Sequence, residues 1–280
     1  MLELDLACNN NVSLFLIIMK KYICIIQILT VIVSHAQHSF FRSTNNYVVP
    51  VSASQASPVI TSGLVLNLDA ENSTSYTGSG TTWSDISGSN NHATLYNSTP
   101  FTSISPTYFS FNGSDQYAKS NTTPVFGIAS NNAITAEGWI YLSVNSYDFW
   151  FTSNLNPSDC TYRFGSDGSR SLYWDMGQHN DRSFSGFTFT NNSWAHVVFT
   201  GGLESGTIVT RIYVNGNLIT TQNEGITTLP NTNEFFIGTG ETGNSHNFSG
   251  RIGAVRIYNR VLSASEVLQN FNNTRSRFGL

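Results

Sequence analysis

The chain has 280 residues, a formal net charge of −4 and only 11% charged side chains, against 19 Phe, 12 Tyr and 5 Trp. At about 25 cal/mol for each Å² removed from water, that apolar content supports a sizeable core, in one large domain as readily as in two small ones. Arginines are scattered and lysine occurs only at Lys20, Lys21 and Lys119, so no basic stripe exists to neutralise phosphates; nucleic acid is not an expected partner, and nothing pulls the chain towards anionic membranes.

Residues 19–37 read MKKYICIIQILTVIVSHAQ: two lysines, an apolar run from Tyr22 to Val33, then Ser34-His35-Ala36. That is the pattern of a signal peptide cleaved after Ala36, with translation starting at Met19. The competing reading is a single-pass anchor from Val12 to Val33, which would place both lysines in mid-span at ~2.5–3.5 kcal/mol each. The expected location is therefore secreted, extracellular or cell-surface, with membrane attachment only if the leader is retained. Cys8 and Cys24 belong to this leader, leaving Cys160 alone and no internal disulfide. Residues 37–62, rich in Ser, Thr and Asn, read as a linker or N-terminal arm. The folded domain is expected over 63–280.

The first strand signal is Leu64-Val65-Leu66-Asn67-Leu68. The stretch SYTGSGTTWSDISGSNNHATL (75–95) is turn-rich and too polar for a core element apart from Trp83, Ile86 and Leu95. Tyr108–Phe111 runs into an Asn112-Gly113 turn. In 134–142, Ile134, Ala136, Gly138, Ile140 and Leu142 alternate with Thr135, Glu137, Trp139 and Tyr141, as a central strand would, and Gly138 permits close approach. Short aromatic strands are predicted at Phe149–Thr152, Thr161–Phe164 and Leu172–Trp174, then at Trp194–Thr200. Ile208–Val214, Asn215-Gly216 and Asn217–Thr221 form a hairpin, followed by strands at Phe235–Gly238 and Arg251–Tyr258. Ser263 with Glu266 three residues on is a capping box, and Val267, Leu268 and Phe271 give that helix an apolar face expected to cap one end of the fold.

The segments GLVLNLDAENSTSYTGSGTTWSDISG (63–88), FSFNGSDQYA (109–118), AITAEGWIYL (133–142), WAHVVFT (194–200), IYVNGNLI (212–219), FFIGTG (235–240) and FSGRIGAVRIYNRVLSASEVLQNF (248–271), in this order, resemble the laminin-G-like, concanavalin A-like jelly-roll family across residues 63–280. The resemblance implies an all-β, two-sheet antiparallel sandwich with one short C-terminal helix, in a secreted or surface setting. It implies a non-catalytic module that binds a glycan or a surface protein. The tail NFNNTRSRFGL and the GLVLNLDAENSTSY opening are also similar to versions found in virus particles, so a structural or adhesion role on a virion or cell surface is the second expectation. It further implies a calcium held near the first strand and the FNG turn with an Asp before VRIY. Gly253 stands where that Asp is expected, leaving Asp69, Asn112 and Asp115 as oxygen donors; Asp69 and Asp115 serve equally well as turn formers. No other cofactor is expected.

Retaining glycoside hydrolysis needs two carboxyl groups ~5–5.5 Å apart, and the E-x-D-x-x-E strand of the glucanase relatives is missing: Glu137 stands alone on its strand. A degenerate hydrolase is therefore the third expectation. No G-x-S-x-G occurs, and the histidines lack ligand spacing; His196 reads as packed or hydrogen-bonded within its strand. For a glycan, an aromatic platform beside polar groups is needed, and residues 145–185 supply it: Tyr147, Trp150, Tyr173 and Trp174, with Asp175 and His179, are the candidate ligand-binding residues. Tyr162, Asp148, Gln178 and Asp181 lie beside them. Trp139 and Trp194 read as core strand residues.

Overall fold

The computed structural model of the chain describes residues 58–280 apart from 125, 146, 154–160, 178–180, 233 and 241–245. The expected leader, most of the arm, Cys160, Gln178 and His179 lie outside the described residues. In chain order the strands are β1 (Leu64–Asp69), β2 (Thr82–Trp83), β3 (Ala93–Tyr96), β4 (Phe101–Thr102), β5 (Tyr108–Asn112), β6 (Tyr117–Ser120), β7 (Ala133–Leu142), β8 (Asp148–Ser153), β9 (Tyr162–Ser166), β10 (Ser171–Met176), β11 (Arg182–Thr188), β12 (Trp194–Glu204), β13 (Thr207–Val214), β14 (Asn217–Asn223), β15 (Phe235–Ile237) and β16 (Ser249–Tyr258). Helix α1 (Ile128–Asn131) precedes β7, and α2 (Ala264–Thr274) leads into a 3-10 turn, Arg275–Phe278.

The strands form two antiparallel sheets. The first has the order β14-β13-β12-β7-β16-β5-β4, with β1 also on β16; the second runs β11-β10-β9-β8-β15-β6-β3-β2. This is the all-β jelly-roll sandwich anticipated from the sequence. β7 is central, paired with β12 and β16, and its alternation decides what lies between the sheets. Ile134, Ala136, Ile140 and Leu142 enter the main core with Phe199 of β12 and Trp150, Phe151 and Phe164 of the second sheet. At Gly138 a β-carbon would come within 2.9 Å of the Trp150 ring, so the indole packs directly on the β7 backbone. Phe199 stacks on Phe164 at 4.7 Å and Trp150 lies 6.2 Å from Phe199, contacts that join the two sheets. Such aromatic pairs add ~0.5–1.5 kcal/mol each beyond simple burial.

The polar stretch 75–95 contributes more than expected, holding β2 and β3. Much of its polarity is satisfied internally, above all by the buried carboxylate of Asp85. Asp85 accepts from the backbone N–H of Asn67 (2.8 Å), Ser87 (2.8 Å) and Asn91 (2.9 Å), which ties the loop to β1 and lets Trp83 enter the core. Strand β11 carries no apolar alternation, because it is a polar, largely exposed edge. The Asn215-Gly216 turn joins β13 and β14 as predicted, with φ of 50° and 77° at its two residues.

Helix α2 has the predicted capping box: Glu266 N donates to Ser263 Oγ (3.3 Å) and Ser263 N to Glu266 Oε2 (2.9 Å). It does not cap an end of the sandwich. It lies on the outer face of the first sheet, where Phe271 and Phe278 pack on the outward-facing Trp139 at 6.0 and 4.1 Å. The outward residues Thr135, Glu137 and Trp139 of β7 are thereby buried in a second interface. Trp139 Nε1 donates to Thr274 Oγ1 (2.8 Å), and Asn270 Nδ2 donates to Glu137 (2.7 Å). His196 is buried there as expected, 3.5 Å from Glu137.

Glu137, the one acid of β7, is ion-paired: Arg256 Nη1 meets it at 2.7 Å, Arg256 Nη2 meets Asp69 at 3.1 Å, and Arg277 joins Asp69 (2.7 Å) to Glu71 (2.5 Å). Burial by itself would raise the Glu137 carboxyl, but His196, Arg256 and the Asn270 amide outweigh it and hold the group at about 2.

Candidate functional site

On β8, β9 and β10 the period of two sends Trp150, Tyr162, Phe164, Leu172, Trp174 and Met176 into the core. A bulge between Phe149 and Phe151 lets the neighbours Trp150 and Phe151 both point inward. Phe149, Arg163, Tyr173 and Asp175 take the opposite face. There Arg163 Nε donates to Asp175 Oδ2 (2.5 Å), its Nη2 meets both Asp175 and Asp181 (2.6 Å to the latter), and the Tyr173 hydroxyl donates to Asp181. Asp181 N closes the ring by donating to Asp175 Oδ1 (2.6 Å). The guanidinium also lies over Phe149 at 5.3 Å.

Tyr147 stands at the edge of this network, half-buried. Its ring meets Tyr173 and His246 at 4.6 Å each and Phe149 at 5.6 Å. Burial pushes the Tyr147 hydroxyl up to about 12 and that of Tyr173 further, so both are neutral hydrogen-bonding groups at ordinary pH. Beside Tyr147 opens a shallow notch of about 450 Å³ at the rim between the sheets, lined also by Asn112, Asp148, His246, Asn247 and Ser249. Its polar groups are fixed in place: Ser249 N donates to Asp148 Oδ2 (3.1 Å), and Asn112 Oδ1 accepts from Ser114 N (2.9 Å) and Asp115 N (3.1 Å).

The structure thus divides the candidate ligand-binding residues. Trp150 and Trp174 are corrected to core residues: both are buried, and the Trp174 Nε1 donates to the buried Glu224 (2.9 Å). No sugar can reach either ring. Tyr173 and Asp175 are buried behind the notch, Tyr147 reaches it, and His179 lies outside the described residues. Sequence reasoning missed Arg163, His246 and Asn247, which come from other strands and loops and carry no local signal.

Trp194 is also corrected. It is half-buried on the outer face of the first sheet, directly opposite Tyr141 in the β12–β7 register. Tyr141 and Tyr108 each lie against Arg251, with the guanidinium carbon 4.4 and 4.8 Å from the ring centres. Trp194 closes the group at 5.5 Å from Tyr141 and 5.7 Å from Tyr108. A groove of about 650 Å³ opens over Tyr108, Trp194 and Arg251, bordered by Ile104 and Phe278.

The expected calcium ligands do not form one site. Asp69 pairs with Ala254 and Asn112 with Ser249, five positions apart along β16, so the two lie roughly 17 Å apart. Ligand oxygens must converge at 2.3–2.6 Å on one ion. Asp69 is already neutralised by Arg256 and Arg277, and Asp115 accepts from Asn112 Nδ2 (2.8 Å) as a turn former. Asp69 and Asp115 take the turn-forming and ion-pairing roles, and these residues do not fit a calcium ion.

Two antiparallel sheets with aromatic clusters at rim and face define a lectin-like sandwich. The family model described as concanavalin A-like lectin/glucanases superfamily matches residues 112–268, more than half of the chain, and the chain belongs to that family. No curated protein matches it. Among solved structures it is similar to the binding domain of botulinum neurotoxin DC in complex with rat synaptotagmin II (TM-score 0.58, 17% identity, 76% of this chain and 52% of that one). It is also similar to botulinum neurotoxin type C, whose cell entry depends on two ganglioside molecules (0.58, 18%, 76% and 51%). Trypanosoma rangeli sialidase in complex with sialic acid is a third such structure (0.58, 19%, 76% and 33%). The chain spans about half the length of the toxin chains and a third of the sialidase, and at these identities the likeness is one of fold. No helix among the described residues is long and apolar enough to cross a membrane.

Proposed function

We propose that the chain is a secreted or surface-displayed, non-catalytic module that binds carbohydrate in the rim notch beside Tyr147. The observation that carries this reading is the notch itself, where one half-buried tyrosine ring adjoins Asn112, Asp148, Asn247 and Ser249. A sugar presents an apolar C–H face and a rim of hydroxyls, and it is bound by a ring that takes the first and fixed polar groups that take the second. The buried side chains of Arg163, Tyr173 and Asp175, joined by the exposed Asp181, hold Tyr147 from behind, as a supporting shell should. Family membership, and the ganglioside and sialic acid named for the similar structures, support the choice of ligand class.

The non-catalytic part of the reading rests on Arg163. Among the described residues, Asp175 and Asp181 both turn to Arg163, and one guanidinium joins the two carboxylates. An acid-base pair needs one protonated and one free carboxyl group facing the substrate. A glycan array probed with the full chain, at a temperature where parent and variant are both folded, should show binding that Tyr147→Ala reduces at least about tenfold. A folded protein that binds nothing on the array refutes the reading, and hydrolysis of β-glucans or sialosides would revive the hydrolase.

A further inference from the structure

The groove on the outer face of the first sheet shares no lining residue with the Tyr147 notch and poses a separate chemical question. Arg163, Arg182, Arg211, Arg256, Arg260 and Arg277 each meet a carboxylate. Arg251 does not: among the described residues its guanidinium forms no ion pair and donates no side-chain hydrogen bond. What holds it are the rings of Tyr141 and Tyr108, at 4.4 and 4.8 Å from the guanidinium carbon. Cation–π attraction uses no N–H group, so the five-donor fork remains available in a half-exposed position.

We propose that this groove is a second glycan site, selective for a sugar that carries a carboxylate. Arg251 supplies the planar fork that matches a carboxylate in two parallel hydrogen bonds, a match that a lone lysine cannot make. Trp194 supplies a half-exposed indole next to it, set by the β12–β7 register and by its contact with Phe278 at 4.7 Å. The rings orient Arg251 before any ligand arrives, so little side-chain freedom is lost on binding. A multiply charged phosphate would call for a second cation, and the guanidinium at the groove's other border, Arg277, is committed to Asp69 and Glu71. One fork beside aromatic faces therefore suits one planar carboxylate on an otherwise neutral ring. The tyrosines, engaged with Arg251, hold the fork while the indole meets the sugar.

The test is an NMR titration of the full chain with a glucuronate-containing tetrasaccharide and with the same tetrasaccharide after its carboxyl is reduced to the alcohol. The acid form is expected to bind about tenfold more tightly, with the difference shrinking as salt is raised. Arg251→Gln should abolish that preference while leaving the reduced form's affinity unchanged, and Trp194→Phe should weaken both forms. Tyr147→Ala should leave this binding intact, so a failure of the notch is told apart from a failure here. Equal binding of the two tetrasaccharides overturns the proposal, as does an Arg251→Gln protein that keeps the preference. Tighter binding of a sulfated neutral sugar, or of an acidic peptide, overturns the carboxylate or the glycan assignment respectively.

Discussion

The ring of Phe278 occupies the space a side chain at Gly253 would need: a β-carbon there would lie 2.6 Å from its Cε1 atom. The carbonyl of Gly253 is also engaged, accepting from Ala70 N (2.9 Å) and Arg277 Nη2 (3.3 Å). The C-terminal turn thus fills the place where the family resemblance implies a calcium-binding Asp. Gly253→Asp is expected to lower stability by about 1–3 kcal/mol through overpacking. It should shift the denaturant midpoint without changing the slope. Neither the parent nor the variant should melt higher in millimolar calcium than in chelator; a calcium-dependent rise in the parent would contradict the turn-forming roles given to Asp69 and Asp115.

Glu137 is expected to contribute to the acid sensitivity of the fold. Its carboxyl lies at about 2 in the folded chain against an ordinary value of 4.5. A depressed acid contributes stability that is complete above the unfolded value and is lost as pH falls through the folded one. The loss should therefore fall between pH 4.5 and 2, and amount to a few kcal/mol, on the order of 1.4 kcal/mol per unit. Glu137→Gln should flatten this part of the stability curve. It should also destabilise the protein at neutral pH by about 3–5 kcal/mol, because Arg256 would keep a buried charge without its main partner.

At the alkaline end the sign reverses. Tyr147 is raised by burial to about 12, and Tyr162 and Tyr258 are pushed up further for the same reason. Their neutral forms are the ones the fold accepts, so their contribution is complete below pH 10 and is lost as pH rises towards 12 and beyond. Ultraviolet titration should show a class of tyrosines that ionise only as circular dichroism reports unfolding. Ionisation of every tyrosine near pH 10 in the native state would contradict the burial described here.

Tryptophans should separate by position. Trp150→Ala is expected to cost about 3–5 kcal/mol, since it empties the space over Gly138 and between the sheets. Trp174→Phe keeps most of the volume but removes the donor to Glu224, a loss of about 1–3 kcal/mol. Trp194→Phe, on a half-buried face, should cost less than either. Chemical denaturation of the three variants gives the order, and an equal cost for Trp150 and Trp194 would not fit.

Helix α2 depends on its cap. Ser263→Ala should lower stability by about 1 kcal/mol by leaving an N-terminal N–H without its acceptor. Arg260 forks the same Glu266 at 2.7 and 2.9 Å. Arg260→Ala should accordingly add little to Ser263→Ala if both act through Glu266, which a double-mutant cycle would read.

Much of this architecture was legible from local pattern. The alternation in 134–142, the Asn215-Gly216 turn and the Ser263/Glu266 box each depend on neighbours a few residues away, so the chemistry that forms them is written contiguously. Strands β2, β3 and β11 were not legible. In the first two, polarity is compensated by Asp85 reaching back to Asn67, a contact 18 residues away in sequence; β11 is an edge strand whose solvent face looks like loop.

By itself the sequence determined that the domain is an antiparallel sandwich and that it carries aromatics beyond what one core needs. Only the tertiary structure decided which of those aromatics are core and which meet solvent. Alternation assigns a strand two faces but not which face is covered: Trp150 and Trp174 turned inward, while Trp194, Tyr141 and Tyr108 turned to the far side around Arg251. Whether an outward face is itself buried depends on helix α2 and the Phe278 turn lying over part of the first sheet and stopping short of the rest. That is a matter of long-range packing, and no window of residues contains it.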